Sequence, residues 1–360
     1  MIIEPCASID LSALQHNLDV VLQLAPHSKI IAVIKADAYG HGLLPVAKAL
    51  KLADMLAVAR ISEAKILRDA GITRPILVLE GFLSSDEIVA ASELNLDLVV
   101  HQNRQIDLLE QTRNLPIKLG VWLKIDTGMH RLGIDVSSVD HSYQRLLALD
   151  ILKDKPKLMT HFANADDIDH SLTSEQIKCF VEVAKPLDTQ CSLANSAAIF
   201  AWPESHMDWV RPGIMLYGAS PILGKTSDDH YLKPVMTLTS QLIAINHYKK
   251  GDCIGYGSTW CCPEDMPVGV VGIGYGDGYP RHAPSGTPVV VNEKSTQLIG
   301  RVSMDMLTID LRNIEAIEGD EVTLWGKGLP AENVAKAAGT ISYELFCGVT
   351  SRVMYRYINE

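Results

Sequence analysis

The sequence predicts an α/β protein in which a (β/α)8 TIM-like barrel precedes a mostly β C-terminal domain. In the first part of the chain, short apolar runs alternate with amphipathic helical patterns over about 220 residues, which is typical of such a barrel. A polar segment without periodicity follows at 220–233, and short β-rich runs separated by turn signals come after it. We therefore predict a barrel domain over 1–233, including the linker 220–233, and a second domain over 234–360.

The barrel prediction rests on eight strand candidates. Ahead of them, residues 8–10 are predicted to form a short strand whose end caps an amphipathic helix beginning at Leu11. An open doubly wound sheet is the alternative, and a G-x-G-x-x-G after the first strand would favour it, but here that strand ends in lysine. The strand candidates are 30–35, 55–59, 76–80, 96–100, 119–125, 157–162, 190–194 and 208–210. The helical stretches between them include 61–70, 84–94, 102–113, 138–149 and 173–185.

The second domain is predicted from turn signals that recur at short intervals, such as 276–278 and 318–320. One helix is expected near 330–338. The predicted strands of this domain are 267–273, 287–292, 296–302, 306–311 and 321–325.

The composition is that of an ordinary globular protein, with 47% apolar and 21% charged residues. A formal net charge of −11 disfavours a nucleic-acid surface, because phosphate backbones bind basic faces. No apolar run is long enough to predict a membrane span, and residues 1–10 do not resemble a secretory signal. The seven cysteines contain no C-x-x-C pair, so we expect reduced thiols, no metal site and a cytoplasmic location.

Lys35 is the first candidate for chemistry. It follows five apolar residues at 30–34 without a break, and a buried lysine is costly unless it has a use. Burial lowers the pKa of a lysine, and a Schiff base requires the unprotonated amine. The alternative is a lysine whose stem lies along the strand end while its charge reaches water.

Polar side chains follow several of the predicted strands at the end where barrels carry their function. Ser196 offers a hydroxyl, and Gly213 with Ile214 offers backbone N–H groups, at the loops where barrels bind phosphate. Together with a lysine on the first strand, this layout suits pyridoxal phosphate. The candidates are Lys35, Tyr39, Lys124, Asp126, Arg131, His161, Asn195, Ser196, Arg211, Gly213 and Ile214.

Several of these residues have a second interpretation. His161 either stacks on a flat cofactor or is a hydrogen-bonded structural histidine, and Asp126 either serves the site or forms an Asx turn. Arg131 either presents a fork to a carboxylate or is a surface cation. In the second domain, Tyr256 and Tyr275 are flanked by glycines, which suits either a site lining or a plain turn.

Seven segments carry these candidates in order from residue 32 to residue 306: AVIKADAYGHG, WLKIDTGMHRLG, HFANAD, VRPGIMLYG, GYGSTW, GYGDGYPR and GRVSMDM. Together with SRV at 351–353, they resemble the alanine racemase family of fold-type III pyridoxal-phosphate enzymes. The resemblance covers nearly the whole chain. It implies a homodimeric isomerase that interconverts L- and D-alanine and supplies D-alanine for peptidoglycan.

The same resemblance implies a role for each candidate. Lys35 would bind pyridoxal phosphate covalently and act as the base on D-alanine, and Tyr256 of the partner subunit would act as the base on L-alanine. Arg211 would face the pyridine nitrogen, and Lys124 would be carbamylated. The phosphate contacts would be Ser196, Gly213, Ile214 and Tyr39, the contacts to the substrate carboxylate would be Arg131 and the Met304 backbone, and Tyr275 and Asp305 would lie near the entrance.

The sequence leaves other functions open. A decarboxylase of basic amino acids shares the fold type but has no use for a second base, so Tyr256 favours a racemase. A racemase of broader specificity and a non-catalytic pyridoxal-phosphate carrier protein are further alternatives. The carrier proteins are single barrels, which the second domain argues against. Ser351 replaces an aromatic residue that some members place near the phosphate, so no such contact is assigned to it.

Overall fold

A computed structural model describes residues 4–359, so residues 1–3 and 360, at the outer ends of the two predicted domains, are not described. The strands up to residue 211 are β1 (Cys6–Asp10), β2 (Lys29–Val33), β3 (Met55–Val58), β4 (Ile76–Val78), β5 (Leu96–Val100), β6 (Gly120–Asp126), β7 (Ile134–Asp135), β8 (Lys157–Met159), β9 (Cys191–Asn195) and β10 (Trp209–Arg211). The helices of this part are α1 (Leu11–Leu24), α2 (Lys35–Gly40), α3 (Leu43–Ala49), α4 (Ile61–Asp69), α5 (Ser85–Glu93), α6 (Asn103–Gln111), α7 (Val139–Leu147), α8 (Leu172–Ala184) and α9 (Ser196–Ala201).

Parallel strands close into a barrel in the order β2, β3, β4, β5, β6, β8, β9 and β10. β10 pairs with β2, and the pairing of β5 with β6 completes the ring. The strands are buried on both faces because helices cover the outside and side chains fill the interior. The predicted fold class is therefore confirmed. Two details differ: β2 ends at Val33, two residues before Lys35, and the short strand β7 adds to β6.

The second part of the chain is mostly β. Its strands are β11 (Met236–Tyr248), β12 (Cys253–Ile254), β13 (Trp260–Cys261), β14 (Met266–Val271), β15 (Pro288–Val291), β16 (Lys294–Ile299), β17 (Leu307–Asp310), β18 (Glu321–Trp325) and β19 (Met354–Ile358). Its helices are α10 (Ala331–Ala338) and α11 (Ser342–Gly348). β1 joins the large sheet of this part, antiparallel to β11 and parallel to β19. The domain boundary between residues 233 and 234 stays a prediction. β1 precedes the barrel in sequence but pairs with strands of the second part of the chain.

α11 packs against α2, so the second part of the chain reaches the barrel beside Lys35. At Gly40, whose φ is +74°, an added Cβ would lie 2.2 Å from the carbonyl oxygen of Phe346. A side chain larger than hydrogen has no room there, and its backbone conformation would be strained as well. Gly40 therefore allows the close contact between the two helices.

The expectation of reduced thiols is wrong for one pair of cysteines. Cys253 and Cys261 are joined by a disulfide, since β12 and β13 form a short hairpin that sets these residues directly opposite each other. The glycines beside Tyr256 allow a turn, but strands of only two residues leave no alternating pattern that would predict the hairpin. The remaining cysteines are free thiols, at positions 6, 179, 191, 262 and 347.

Two further findings concern residues 4–359. Within this range, no helix is both long and apolar enough to cross a lipid bilayer. Nor does any group of three or more histidine, cysteine or acidic side chains in that range form a potential metal site.

Candidate active site

Lys35 begins α2, which is a left-handed turn. Ala36 and Asp37 have φ angles of 54° and 52°, and Ala38 and Tyr39 both have 54°. L-residues normally enter this region one at a time, at a cost of about 1–2 kcal/mol each. Contacts from the surrounding structure must therefore hold the turn, and the sequence did not predict it because four of its residues carry a Cβ.

His41 is the main support of this turn. Its Nδ1 lies 3.1 Å from the Ala38 carbonyl and 2.9 Å from the Tyr39 carbonyl, so the Nδ1–H tautomer donates to the turn. The ring packs against Tyr217 and Phe346, with centroid distances of 4.6 and 5.1 Å. Burial lowers the pKa of His41 to about 4, so the ring is neutral at physiological pH.

Tyr39 extends from the turn toward the barrel rim. Its ring stacks on Tyr217 at 4.7 Å, and Tyr217 donates a hydrogen bond of 3.0 Å to the Val33 carbonyl at the end of β2. A Cβ added to Gly213 would lie only 2.6 Å from the Tyr39 hydroxyl. The phenol therefore lies directly against the backbone of Gly213, which the predicted phosphate site requires.

Ser196 lies on the other side of that backbone. Its Oγ accepts hydrogen bonds from the amides of Gly213, at 2.7 Å, and Met215, at 3.5 Å. Asn195, the preceding residue, accepts from Ala198 N at 3.0 Å and so caps α9. Tyr39, Ser196, Gly213 and the buried Ile214 are thus brought together, and Asn195 supports them through the helix cap.

Arg211 is fixed within the barrel interior at 4% exposure. Its guanidinium donates to Ser192 Oγ at 2.6 Å, to the Thr160 carbonyl at 2.5 Å and to the Leu193 carbonyl at 3.0 Å. These acceptors are neutral, so they orient the group without neutralising its charge. Burial lowers the pKa of Arg211 to about 10, and the side chain therefore stays protonated at neutral pH.

Four other basic side chains influence one another around Arg211. Burial, then Arg211 and Arg131, lowers the pKa of Lys124 to about 8. Burial and Arg211 lower the pKa of His161, whose Nδ1 lies 3.5 Å from Arg211 Nη2. Burial and Arg131 lower the pKa of Lys35, while Glu80 and Glu63 act in the opposite direction. A rim of this kind attracts anions and favours unprotonated amines.

The loop after β6 holds Arg131 at the surface end of this group. Asp126 accepts hydrogen bonds from Gly128 N and His130 N, both at 3.0 Å. These bonds form an Asx turn, which was one of the two interpretations of Asp126. Arg131 follows this turn and is exposed, yet it acts on the pKa values of Lys35 and Lys124. The loop that contains this turn therefore places the charge of Arg131 near the buried cluster.

Two loops of the second part of the chain carry Tyr275, Met304 and Asp305. Tyr275 N donates to the Ser303 carbonyl at 3.0 Å, and Gly276 N donates to the Met304 carbonyl at 2.8 Å. Tyr275 is 38% exposed and Met304 is 53% exposed.

Arg352 joins these loops, although its residue type and position in the sequence predicted no role for it. Its guanidinium forms ion pairs with Asp277 at 3.2 Å and with Asp305 at 2.7 Å. The SRV segment at 351–353 was the available signal, but only the fold shows what this arginine contacts.

Tyr256 lies on the hairpin formed by β12 and β13 and is 69% exposed. The neighbouring residue Gly257 lies against the guanidinium of Arg301, where an added Cβ would be 3.3 Å from Nη1. The phenol therefore projects from the surface of this chain, unlike the buried cluster around Arg211.

Both halves of the chain are similar to known proteins. The model of the family described as "Alanine racemase, N-terminal domain" matches residues 9–221, and that of "Alanine racemase, C-terminal domain" matches residues 235–357. The alanine racemase of Nitrosococcus oceani is 52% identical over 97% of this chain and 98% of its own length. That of Aeromonas hydrophila is 49% identical over 98% of this chain and 99% of its own length.

A solved structure is similar over the same span. The crystal structure of the biosynthetic alanine racemase from Pseudomonas aeruginosa matches with a TM-score of 0.96 at 44% identity, covering 99% of this chain and 100% of that one. Both halves of the chain match family models, and the relatives match over nearly their full lengths. The chain belongs to the alanine racemase family.

Proposed function

We propose that this chain is a pyridoxal-phosphate-dependent racemase that interconverts L- and D-alanine. The observation that carries the proposal is the arrangement at one rim of the barrel. Lys35 has a lowered pKa there, and Tyr39 and Ser196 converge on the backbone of Gly213 close to the buried cation Arg211. A phosphorylated aldehyde cofactor needs an amine, a phosphate site and a fixed group at its ring, and these residues supply all three.

The residues fit pyridoxal phosphate by their chemistry. Ser196 offers a hydroxyl and Tyr39 a phenol to the phosphate, and Gly213 has no Cβ between them. His161 offers a neutral ring for stacking, because its pKa is lowered. When bound, the cofactor supplies an electron sink that acidifies the α-proton of an amino acid.

Arg211 faces the ring nitrogen in this proposal. It keeps its proton at neutral pH, so it would leave that nitrogen of a bound cofactor unprotonated and would limit how far the ring withdraws electrons. Proton return to the α-carbon is then favoured over side reactions.

Lys35 and Tyr256 move the proton. A lowered pKa lets the Nζ atom of Lys35 accept the α-proton of D-alanine at moderate pH. Tyr256 Oη takes the α-proton of L-alanine from the opposite face. Since Tyr256 projects from its own chain, we propose that it serves the partner subunit of a homodimer.

Arg131 and the Met304 backbone would bind the substrate carboxylate, and Tyr275 with Asp305 would line the entrance.

Lys124 has a pKa of about 8, so part of it is unprotonated and able to add to carbon dioxide, with loss of one proton. The resulting carbamate would pair with Arg131. Intact mass spectrometry under native conditions tests this, with Lys124→Met as the control that cannot gain the carbon dioxide mass.

The compartment proposed for this activity is the cytoplasm, with supply of D-alanine for peptidoglycan as its use. Both rest on the resemblance to the family. Fractionation of the cells that make the protein tests the location directly.

The decisive experiment measures cofactor and reaction together. Purified protein should show the visible absorbance of bound pyridoxal phosphate, and it should remove the optical rotation of an L-alanine solution. Lys35→Ala should abolish both, whereas Lys48→Ala, which changes an exposed lysine of α3, should change neither. Wild-type protein that binds no cofactor, or that releases carbon dioxide from amino acids in place of racemising them, would refute the proposal.

A further inference from the structure

The hairpin that carries Tyr256 has few contacts to hold its shape. The ladder of β12 and β13 joins Cys253 to Cys261 and Ile254 to Trp260. The apolar side of the hairpin belongs to a small cluster that is separate from the main core. That cluster contains Ile254, Cys262, Met266, Val268 and Ile299.

The turn between the two strands contains three residues with positive φ angles. Gly255 and Gly257 have φ angles of +73° and +74°, and Ser258 also has a positive φ, of +47°. Glycine reaches these angles without steric cost and keeps great conformational freedom, so the two glycines do not fix the shape of the turn, and most of the turn is exposed. The position of the Tyr256 phenol therefore depends on what closes the base of the loop.

The Cys253–Cys261 disulfide closes that base. The two cysteines are eight residues apart in sequence and form the outer of the two cross-strand pairs of the hairpin. Both are exposed, whereas Cys262 points to the opposite face and is buried, as the alternation of side chains along a strand requires. Cys261 is thus the partner that Cys253 can reach, and both residues of the bridge are exposed in the single chain.

We propose that the Cys253–Cys261 bridge is a redox-sensitive clasp that positions Tyr256 for catalysis, so that reduction of the bridge slows racemisation. This inference rests on the proposed function, in which Tyr256 is one of the two bases. Exposed disulfides are the ones that small thiols reduce most readily, and in a reducing compartment they are typically regulatory.

The chemistry is an ordinary thiol–disulfide exchange with glutathione. A glutathione thiolate attacks one sulfur of the bridge, the S–S bond breaks, and the second cysteine leaves as a thiolate that takes up a proton. A second glutathione thiolate then attacks the mixed disulfide and releases the first cysteine, which is protonated in turn. Two electrons pass to the protein, and one molecule of oxidised glutathione forms. Excess oxidised glutathione reverses every step.

Loss of the bridge should affect Tyr256 and leave the Lys35 side of the site unchanged. A base displaced by about 1 Å loses much of its rate advantage, so we expect kcat to fall about tenfold on reduction. The KM for alanine should change less, because Arg131 and Met304 lie outside the hairpin. The cofactor absorbance should not change, since Lys35 is in the barrel.

The experiment uses the holoenzyme equilibrated in glutathione buffers of graded redox ratio. Differential alkylation and peptide mass spectrometry give the fraction of molecules with the bridge, and kcat is measured on the same samples. Chymotrypsin cleavage after Tyr256 or Trp260 reports loop mobility without reference to activity. We expect kcat to fall, and cleavage to accelerate, in proportion to the loss of the bridge.

Two variants separate the bridge from general effects of thiols. Cys253→Ser combined with Cys261→Ser should show the kcat of reduced wild type and no response to the redox ratio. Cys179→Ser, which removes a free cysteine of α8, should respond as wild type does.

Three results would overturn the inference. They are absence of the bridge in oxidising buffer, an unchanged kcat when the bridge is lost, and a double serine variant as fast as oxidised wild type. If neither redox state racemises alanine, the proposed function fails instead. In that case the chymotrypsin rate still decides whether the bridge holds the loop.

Discussion

The two proposed bases lie in opposite kinds of environment. Lys35 begins a left-handed turn between a closed barrel and α11, and His41 and Tyr217 hold that turn from inside the main core. Tyr256 lies on an exposed hairpin that packs on a small separate cluster and is closed by a disulfide. One base is fixed by packing within its own chain, while the other is presented outward on a loop.

This difference follows from what each base must do. Lys35 has to hold a cofactor in one orientation and keep a lowered pKa, and both need burial and fixed neighbours. Tyr256 has to reach the opposite face of the same carbon, which a second chain can do more easily than the barrel that surrounds Lys35. The exposure of Tyr256 is therefore part of the proposed dimeric function. The position of its phenol depends on the hairpin that carries it.

Tyr256→Phe separates the two bases most sharply and should have the largest effect. Racemisation should fall about 1000-fold, because the variant keeps the ring and loses the group that moves a proton. Exchange of the α-hydrogen of D-alanine with heavy water should persist, since Lys35 alone removes and returns that proton. Mass spectrometry for deuterium and chiral chromatography for enantiomers measure the two rates.

Tyr231→Phe is the control for that experiment, because Tyr231 is 84% exposed and lies at the end of the linker. It should leave both rates unchanged. If Tyr256→Phe loses hydrogen exchange on D-alanine as completely as it loses racemisation, the assignment of separate bases to the two faces is wrong.

His41→Phe tests the support of Lys35. The variant keeps an aromatic ring and removes the Nδ1–H that donates to Ala38 and Tyr39, so at pH 7.5 it should be less stable by about 1–2 kcal/mol. Denaturant unfolding measures the change. Its cofactor absorbance should weaken as well, since the turn that begins at Lys35 loses its donor.

Acid should first remove and then reverse the difference in stability between wild type and His41→Phe, because wild type loses more on acidification than His41 contributes at pH 7.5. The folded protein holds the pKa of His41 at about 4, below its ordinary value of 6.5, so folding favours the neutral ring. This contribution to stability is complete above pH 6.5 and is lost as the pH falls to about 4, by about 3 kcal/mol in total. The variant lacks this loss. Unfolding curves that stay equally far apart from pH 7.5 to pH 4.5 would contradict the assigned role.

Gly213→Ala tests the phosphate rim and should have a smaller effect. The new Cβ would lie 2.6 Å from the Tyr39 hydroxyl, and stacking on Tyr217 prevents that ring from moving aside. Loss of one good contact to the phosphate should weaken cofactor binding about tenfold, as fluorescence titration of the apoprotein with pyridoxal phosphate will measure. Gly71→Ala, at an open position with a φ of +81°, should cost stability without changing this affinity.

The sequence predicted the barrel well because buried parallel strands are continuous apolar runs. All eight predicted strands are found, each within a few residues, and the alternation with helices that revealed them depends only on local patterning. The order of the strands also predicted that one set of residues lies at the same rim, since the C-terminal ends of barrel strands share one face. These residues are Lys35, Tyr39, Ser196, Arg211 and Gly213.

The parts that the sequence did not predict depend on contacts between distant residues. The left-handed turn at Ala36–Tyr39 contradicts the local preferences of its residues and exists because His41 and α11 hold it. The disulfide requires a hairpin too short to leave a pattern. β1 precedes the barrel, yet it pairs with β11 and β19 from the other end of the chain.

Arg352→Met should give the smallest effect and tests whether the entrance depends on its ion pairs. Arg352 joins the buried Asp277, which also accepts a hydrogen bond from Gly274 N, and the exposed Asp305. The side chains of Arg352 and Asp305 are 50% and 52% exposed, so water and salt screen their contact. Exposed ion pairs contribute at most about 1 kcal/mol. Because the pair with Asp305 lies at the entrance, we expect its loss to raise the KM for alanine about threefold with little change in kcat. Raising the salt concentration should move the wild-type KM toward that of the variant. Lys65→Met, which breaks an exposed pair with Asp69 on α4, should show no such convergence. A variant that loses kcat at constant KM would instead mean that Arg352 acts on the bases and not on the entrance.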